Sequence, residues 1–326
     1  MRFAIVPSTM LTVLVAVALL APGAGAQPPP KGAGIYVADR LNGRIAYVKD
    51  MSGAGWVTFG TTGKGTKQFD NPSGVSVDAA GRIYIADRGN NRIVRIDNMK
   101  GAGWSALGSA GSGVKQFNAP KGLFVDSAGK IYVADTGNHR IVRMDDMTGA
   151  GWAALGTFGD KEVNQFIEPS YVFVHAKGRI YVAVGGGGYG FRAVVQMDDM
   201  TGAVWTRLGT WGRGVKQFGS AAGVFVDAAG RIYVADSGNN RIVRMDDMTG
   251  AGWTTLGSQG SGSKQFSIPS SVFLDAPGRI YVADSGNGRI VRVNDMTGAG
   301  WTTLGTAGSG AKQFYPARVR LPSMNT

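Results

Sequence analysis

The chain has 326 residues, with 34 Lys+Arg against 22 Asp+Glu for a formal net charge of +12, two His and no Cys. With 44% apolar and 17% charged residues it can bury a core, which excludes wholesale disorder; its 52 glycines follow no G-X-Y period, which excludes collagen and favours a turn-dense β protein. The absence of Cys removes disulfide frameworks, thiolate zinc sites, thiol nucleophiles and a lipid-modified N-terminal Cys.

From the N-terminus, residues 1–26 read as a secretory signal. Arg2 supplies the positive end, Met10–Ala21 is a 12-residue apolar run, and Ala24-Gly25-Ala26 is a small-x-small cleavage site before Gln27. A bilayer needs about 20 apolar residues, so the run is short for a span, and no later segment is a candidate. The mature chain is therefore expected to be secreted or periplasmic. Residues 27–33 form an extended leader rich in Pro.

A repeat then dominates. Trp stands at 56, 104, 152, 205, 253 and 301, spaced by 48, 48, 53, 48 and 48 residues, and Gln-Phe recurs in step at 68, 116, 165, 217, 265 and 313. Such a period names a repeat architecture before any local propensity is weighed. In the unit that starts at Pro72, four short segments alternate with turns: Gly74–Asp78, Arg82–Asp87, Arg92–Asp97 and Trp104–Gly108. Asp78-Ala-Ala-Gly81 has the Asp and Gly that a type I turn prefers, and Gly89-Asn-Asn91 supplies residues that tolerate positive φ. The segments are too short for helices and rich in Val, Ile and Tyr. Four antiparallel strands repeated radially make a β-propeller blade.

The chain-order reading is an all-β, six-bladed propeller with blades near 72–109, 120–157, 169–210, 221–258 and 269–306, and a sixth split between the termini. Residues 34–61 carry strands two to four of that blade, and 316–322 are expected to supply its innermost strand, leaving 323–326 as a tail. This seam would remove the free edges of an open array. An open solenoid of the same units would instead need polar capping repeats at both ends, whereas here the ends are complementary fragments.

The unit Gln-Phe-x-x-Pro, Gly-Val-x-Val-Asp, Gly-Arg-Ile-Tyr-Val-Ala-Asp, Gly-Asn-Asn-Arg-Ile-Val resembles the NHL repeat, best in Gln68–Asp97, Gln116–Asp145 and Gln217–Asp246. The Trp-Asp dipeptide of WD-type blades is absent. The resemblance implies a six-bladed ring that serves as an interaction platform. Some related rings are lyases or lactone hydrolases, so it speaks to fold more than to function.

The repeated residues read as scaffold. The six Trp begin the outermost strands, where a large ring covers the seam between blades. Asp39, Asp87, Asp135, Asp236 and Asp284, each followed by an Arg within five residues, read as Asp–turn–Arg brackets. The face bearing the loops before strand one and after strand two, called the top, is expected to carry Lys67, Lys115, Lys216, Lys264 and Lys312, a basic surface that attracts polyanions.

Departures from symmetry point to function. The third blade reads Val182-Ala-Val-Gly-Gly-Gly-Gly-Tyr-Gly-Phe-Arg192 where its siblings have Val-Ala-Asp-x-Gly-Asn-x-Arg, and Trp211-Gly-Arg213 holds the one Trp outside the repeat. Tyr189, Phe191, Arg192, Trp211 and Arg213 are the candidate binding patch. The two His, His139 and His175, fall on opposite faces and cannot form a His₃ zinc site, so no catalytic residue, metal or cofactor is assigned. The expected function is a non-catalytic binding or scaffold module for a protein or an anionic envelope glycan, with nucleic acid not expected as partner. The alternative is a lyase or hydrolase, streptogramin-lyase-like or lactonase-like, at the axial pocket.

Overall fold

A computed structural model describes residues 17–19, 34–160, 162–185 and 191–315. Six four-stranded antiparallel sheets follow one another. Numbered from the first complete unit, blade one is Pro72–Val77, Ile83–Asp87, Arg92–Ile96 and Ser105–Leu107, and blade three is Pro169–Val174, Ile180–Val184, Ala193–Met197 and Thr206–Leu208. Blades two, four and five repeat the order from Leu123, Ala221 and Pro269. The second strands are buried at every position, because each sheet is sandwiched between its neighbours and has no solvent face.

The ring closes through blade six. Tyr36, Ala38 and Ile45 pack on Val75, Ile83 and Ile85 of blade one, while Ile35, Val37 and Ala46 pack on Tyr281, Ala283 and Ile290 of blade five. The innermost position differs from the sequence expectation. Val17–Leu19 pairs antiparallel with Ile35–Val37, next to the inner strands of blades one and five. The expected occupant, 316–322, lies outside the described residues.

The turns that were read from sequence carry their loads. Asp87 Oδ2 accepts from Asn90 Nδ2 at 2.8 Å and Arg92 Nε at 2.7 Å, and its Oδ1 accepts the Asp70 N–H at 2.7 Å. The same three bonds recur at Asp39, Asp135, Asp236 and Asp284. Burial pushes Asp39, Asp87, Asp135 and Asp284 above the ordinary carboxylate value, and these bonds pull them back. Each Trp of the repeat meets the Phe of a Gln-Phe pair, as Trp104 does Phe69 at 5.5 Å and Trp205 does Phe166 at 5.0 Å, and seals the outer seam between blades.

Candidate functional site

Two places depart from the six-fold pattern in chemistry. The first is the outer surface of blade three. Val184 replaces the bracket Asp and is fully buried, so the turn has no carboxylate to hold a guanidinium. Arg192 instead lies over Trp211, 5.8 Å from the ring centroid, and burial lowers its pKa. Arg207 of the outermost strand stacks on Phe191 at 4.6 Å and donates Nη1 to the Asp160 carbonyl at 2.5 Å. Trp211 is 72% exposed. Phe158, its counterpart one blade earlier, is also exposed and meets His139 edge-on at 4.9 Å.

The structure thus brings Arg192 to Trp211 and adds Arg207 beside Phe191. Tyr189 lies outside the described residues. Arg213 sits apart from the stack, exposed, in a shallow groove of ≈ 240 Å³ with Asn239, Asn240 and Arg241. Its carbonyl accepts Arg241 Nη1 at 2.7 Å.

The second place is the axial mouth. Residues that directly follow the second strand point toward the next blade. Thr136 and Ser237 there donate their hydroxyls to the Pro169 and Pro269 carbonyls, but blades six and one carry Arg40 and Arg88. Both line a cavity of ≈ 280 Å³ with Asn71, Gly89, Asn91 and Ala119. Lys121, at the inner-strand position where blades one, three and five have Ser73, Ser170 and Ser270, adds a third cation, 8% exposed. Arg40 is 4% exposed. Burial, then the Arg88 charge, lowers Arg40 to about 10 and Lys121 to about 8. The facing carboxylates are Asp70 toward Arg40 and Glu168, whose Oε2 is 3.9 Å from Lys121 Nζ. Toward the other end of the inner strands, Phe124, Phe173, Phe225 and Phe273 follow one another around the inner circumference at 4.9–5.0 Å. Tyr171 packs against Gly122, where no side chain would fit.

These cations were not singled out in the sequence. Arg40 and Arg88 occupy the variable position of Asp-x-Gly-Asn, and a consensus hides what varies. Comparing that column across blades (Arg, Arg, Thr, Gly, Ser, Ser) is the signal that would have found them.

Lys67, Lys115, Lys216, Lys264 and Lys312 are exposed in left-handed turns with φ of 53–60°. Their stems pack against Gly101, Gly149, Gly250, Gly298 and Gly53, in the loop between strands three and four of the adjoining blade. Lys312 Nζ donates to the Ser52 carbonyl at 3.2 Å. The loops that carry Lys67, Lys216, Lys264 and Lys312 run between short parallel pairs, such as Thr61–Thr62 with Gln68–Phe69.

Both histidines stand in for scaffold residues. His139 Nδ1 accepts the Glu168 N–H at 3.2 Å, as Asn91 and Asn240 accept those of Ala119 and Ile268, and burial lowers its pKa toward the neutral acceptor. His175 Nδ1 accepts the Lys177 N–H at 3.3 Å, as Asp78 does for Ala80. Among the described residues no three His, Cys, Asp or Glu group together, and no helix is long and apolar enough to cross a membrane.

Three segments, 69–96, 117–144 and 218–245, match the NHL repeat. No curated protein matches the chain. Among solved structures, the chain is similar to one in the nidogen/laminin complex, with TM-score 0.62 and 16% identity over 84% of this chain and 94% of that one. It is also similar to virginiamycin B lyase from Staphylococcus aureus, with TM-score 0.57 and 12% identity over 96% of this chain and 87% of that one. A third is XC5397 from Xanthomonas campestris, described as a gluconolactonase, with TM-score 0.56 and 15% identity over 78% and 80%. At these identities the likeness concerns the fold.

Proposed function

We propose, given that this chain belongs to the NHL-repeat β-propellers, that it is an exported, non-catalytic recognition module that holds an acidic protein or envelope glycan against blade three. The observation that carries this reading is the pair of arginine–aromatic stacks, Arg192 on Trp211 and Arg207 on Phe191, with Trp211 72% exposed on an otherwise scaffold-built ring. An exposed Trp beside Arg is the composition of interface anchors. A guanidinium held by a ring face at about 0.5–1 kcal/mol is pre-oriented to offer the donors it does not already use, Arg207 having given Nη1 to the Asp160 carbonyl, to a carboxylate or sulfate. The exposed lysine series supplies the long-range field that gathers acidic partners.

Export rests on the charged end, apolar run and cleavage site of residues 1–26. Cleavage after Ala26 would remove Val17–Leu19, and Val319-Arg320-Leu321 carries the same Val-x-Leu spacing for the vacated slot. The catalytic alternative has less support, since His139 and His175 are both engaged in turns.

The test is a binding comparison on an array of sulfated and carboxylated glycans and on fractionated envelope proteins. The parent is expected to retain an acidic ligand that the Trp211→Ala, Phe191→Ala double variant binds at least tenfold more weakly, with unchanged circular dichroism. Equal retention by both would remove blade three as the recognition surface.

A further inference from the structure

We infer that the axial mouth between blades six, one and two is a binding site for a small oxyanion of two or more negative charges, held by Arg40, Arg88 and Lys121. A buried charge is tolerated only when it is paired and hydrogen-bonded. The corresponding positions elsewhere in the ring carry Thr136, Gly185, Ser237 and Ser285 for the two arginines, and Ser73, Ser170, Ala222 and Ser270 for the lysine. These hydroxyls meet carbonyls within the ring, for example Ser73 Oγ with the Lys121 carbonyl at 2.8 Å and Ser237 Oγ with the Pro269 carbonyl at 2.6 Å. The scaffold therefore does not need cations at these places, and three together raise its electrostatic energy.

Among the described residues, the carboxylates that face the mouth are Asp70, which attracts Arg40, and Glu168, whose Oε2 stands 3.9 Å from Lys121 Nζ with 44% of its own side chain exposed, so two carboxylates face three cations there. The Asp39, Asp87 and Asp135 carboxylates beside the mouth are already committed to their brackets. The cavity of ≈ 280 Å³ adds neutral donors and small walls from Asn71, Asn91, Gly89 and Ala119. It is lined by two guanidiniums, which match the oxygen pairs of phosphate, sulfate and carboxylate. Its volume suits a small molecule and not a polymer, so this site is separate from the surface on blade three.

Thermal unfolding, with one-site calorimetric titration beside it, tests the inference. Sulfate, phosphate and citrate are compared with sodium chloride at equal ionic strength, in the parent and in an Arg88→Ser, Lys121→Ser variant. Both replacements are residues that sibling blades already hold, so the variant is expected to fold at least as stably as the parent without added anion. Expected in the parent is a melting temperature that rises with a multivalent anion beyond the chloride control, with one anion per chain, and at least a tenfold weaker affinity in the variant. A response to phosphate or citrate but not sulfate would assign the chemistry more narrowly within the same site. A parent response equal to chloride, or an unchanged affinity in the variant, would overturn the site.

Discussion

At the scale of single residues, Lys121 shows how one substitution in a repeat changes what the molecule can sense. Its ammonium is pushed down to about 8 by burial and by Arg88 and Arg40, against an unfolded value of about 10.4. The sign follows from linkage: the folded state disfavours the proton, so the penalty is in full force below pH 8 and is relieved as pH rises toward 10. The Lys121→Ser variant is therefore expected to exceed the parent in stability by the most near pH 6–7, with the gap closing by pH 10. Denaturant midpoints measured across that range check it, and a gap that does not narrow would contradict it. Sulfate keeps its charge over the same range, so its affinity for the parent should fall above pH 8 as the ammonium neutralises.

The same scale shows why parts of the site were legible and others not. Arg192 and Trp211 stood out because a buried Val184 in place of Asp is a local break visible in one copy. Arg40 and Arg88 did not, since each turn that holds them is locally normal, and only their adjacency across two blades makes a cluster. His139 takes the second Asn position of its Gly-Asn-x-Arg turn, which the repeat makes legible, whereas its partner, the Glu168 N–H, is placed only by the fold.

At the scale of elements, the bracket turn is the unit of cohesion. One carboxylate satisfies a side-chain amide, a guanidinium and a backbone N–H, and the same guanidinium continues to the carbonyls of the incoming loop, as Arg241 does to Arg213 and Gln217. Removing the carboxylate strands these partners, and breaking a buried pair costs about 3–5 kcal/mol. Asp236→Ala is accordingly expected to lower unfolding free energy by roughly that amount. Blade three lacks the bracket natively, so amide exchange should be faster in Ile180–Val184 than in Ile232–Asp236, although both strands are fully buried. Equal protection would mean that burial alone holds these strands. The bracket was readable from spacing, because a carboxylate, a turn and a cation five residues apart have few other uses. The left-handed backbone at Lys67 and its equivalents was not readable, because it is a conformation that residue type disfavours.

At the scale of the whole molecule, period and copy number carried the architecture, since a 48-residue unit with four short strands has few ways to bury both faces other than beside its own copies. The inner strand of the split blade was the weak point. Val17-Ala18-Leu19 and Val319-Arg320-Leu321 share the Val-x-Leu spacing, and a slot of three residues cannot choose between them by that spacing alone. The rest of the seam is independent of that choice. Arg44 Nη2 donates to the Gln313 carbonyl at 3.0 Å, Asn42 Nδ2 to the Gly308 carbonyl at 3.1 Å, and Trp56 meets Phe314 at 5.5 Å.

That seam carries the account, because the axial mouth exists only if the first blade in the chain stands between the last blade and blade one. The absence of Cys makes it directly measurable. In a chain that begins at Gln27, Ser52→Cys and Lys312→Cys place the sole two thiols 260 positions apart in sequence, where the Lys312 ammonium and the Ser52 carbonyl are 3.2 Å apart. A short bismaleimide is predicted to join them within one folded monomer, and to fail once urea unfolds the chain. Cross-links that form only between chains, or none under native conditions, would show that the ring is open.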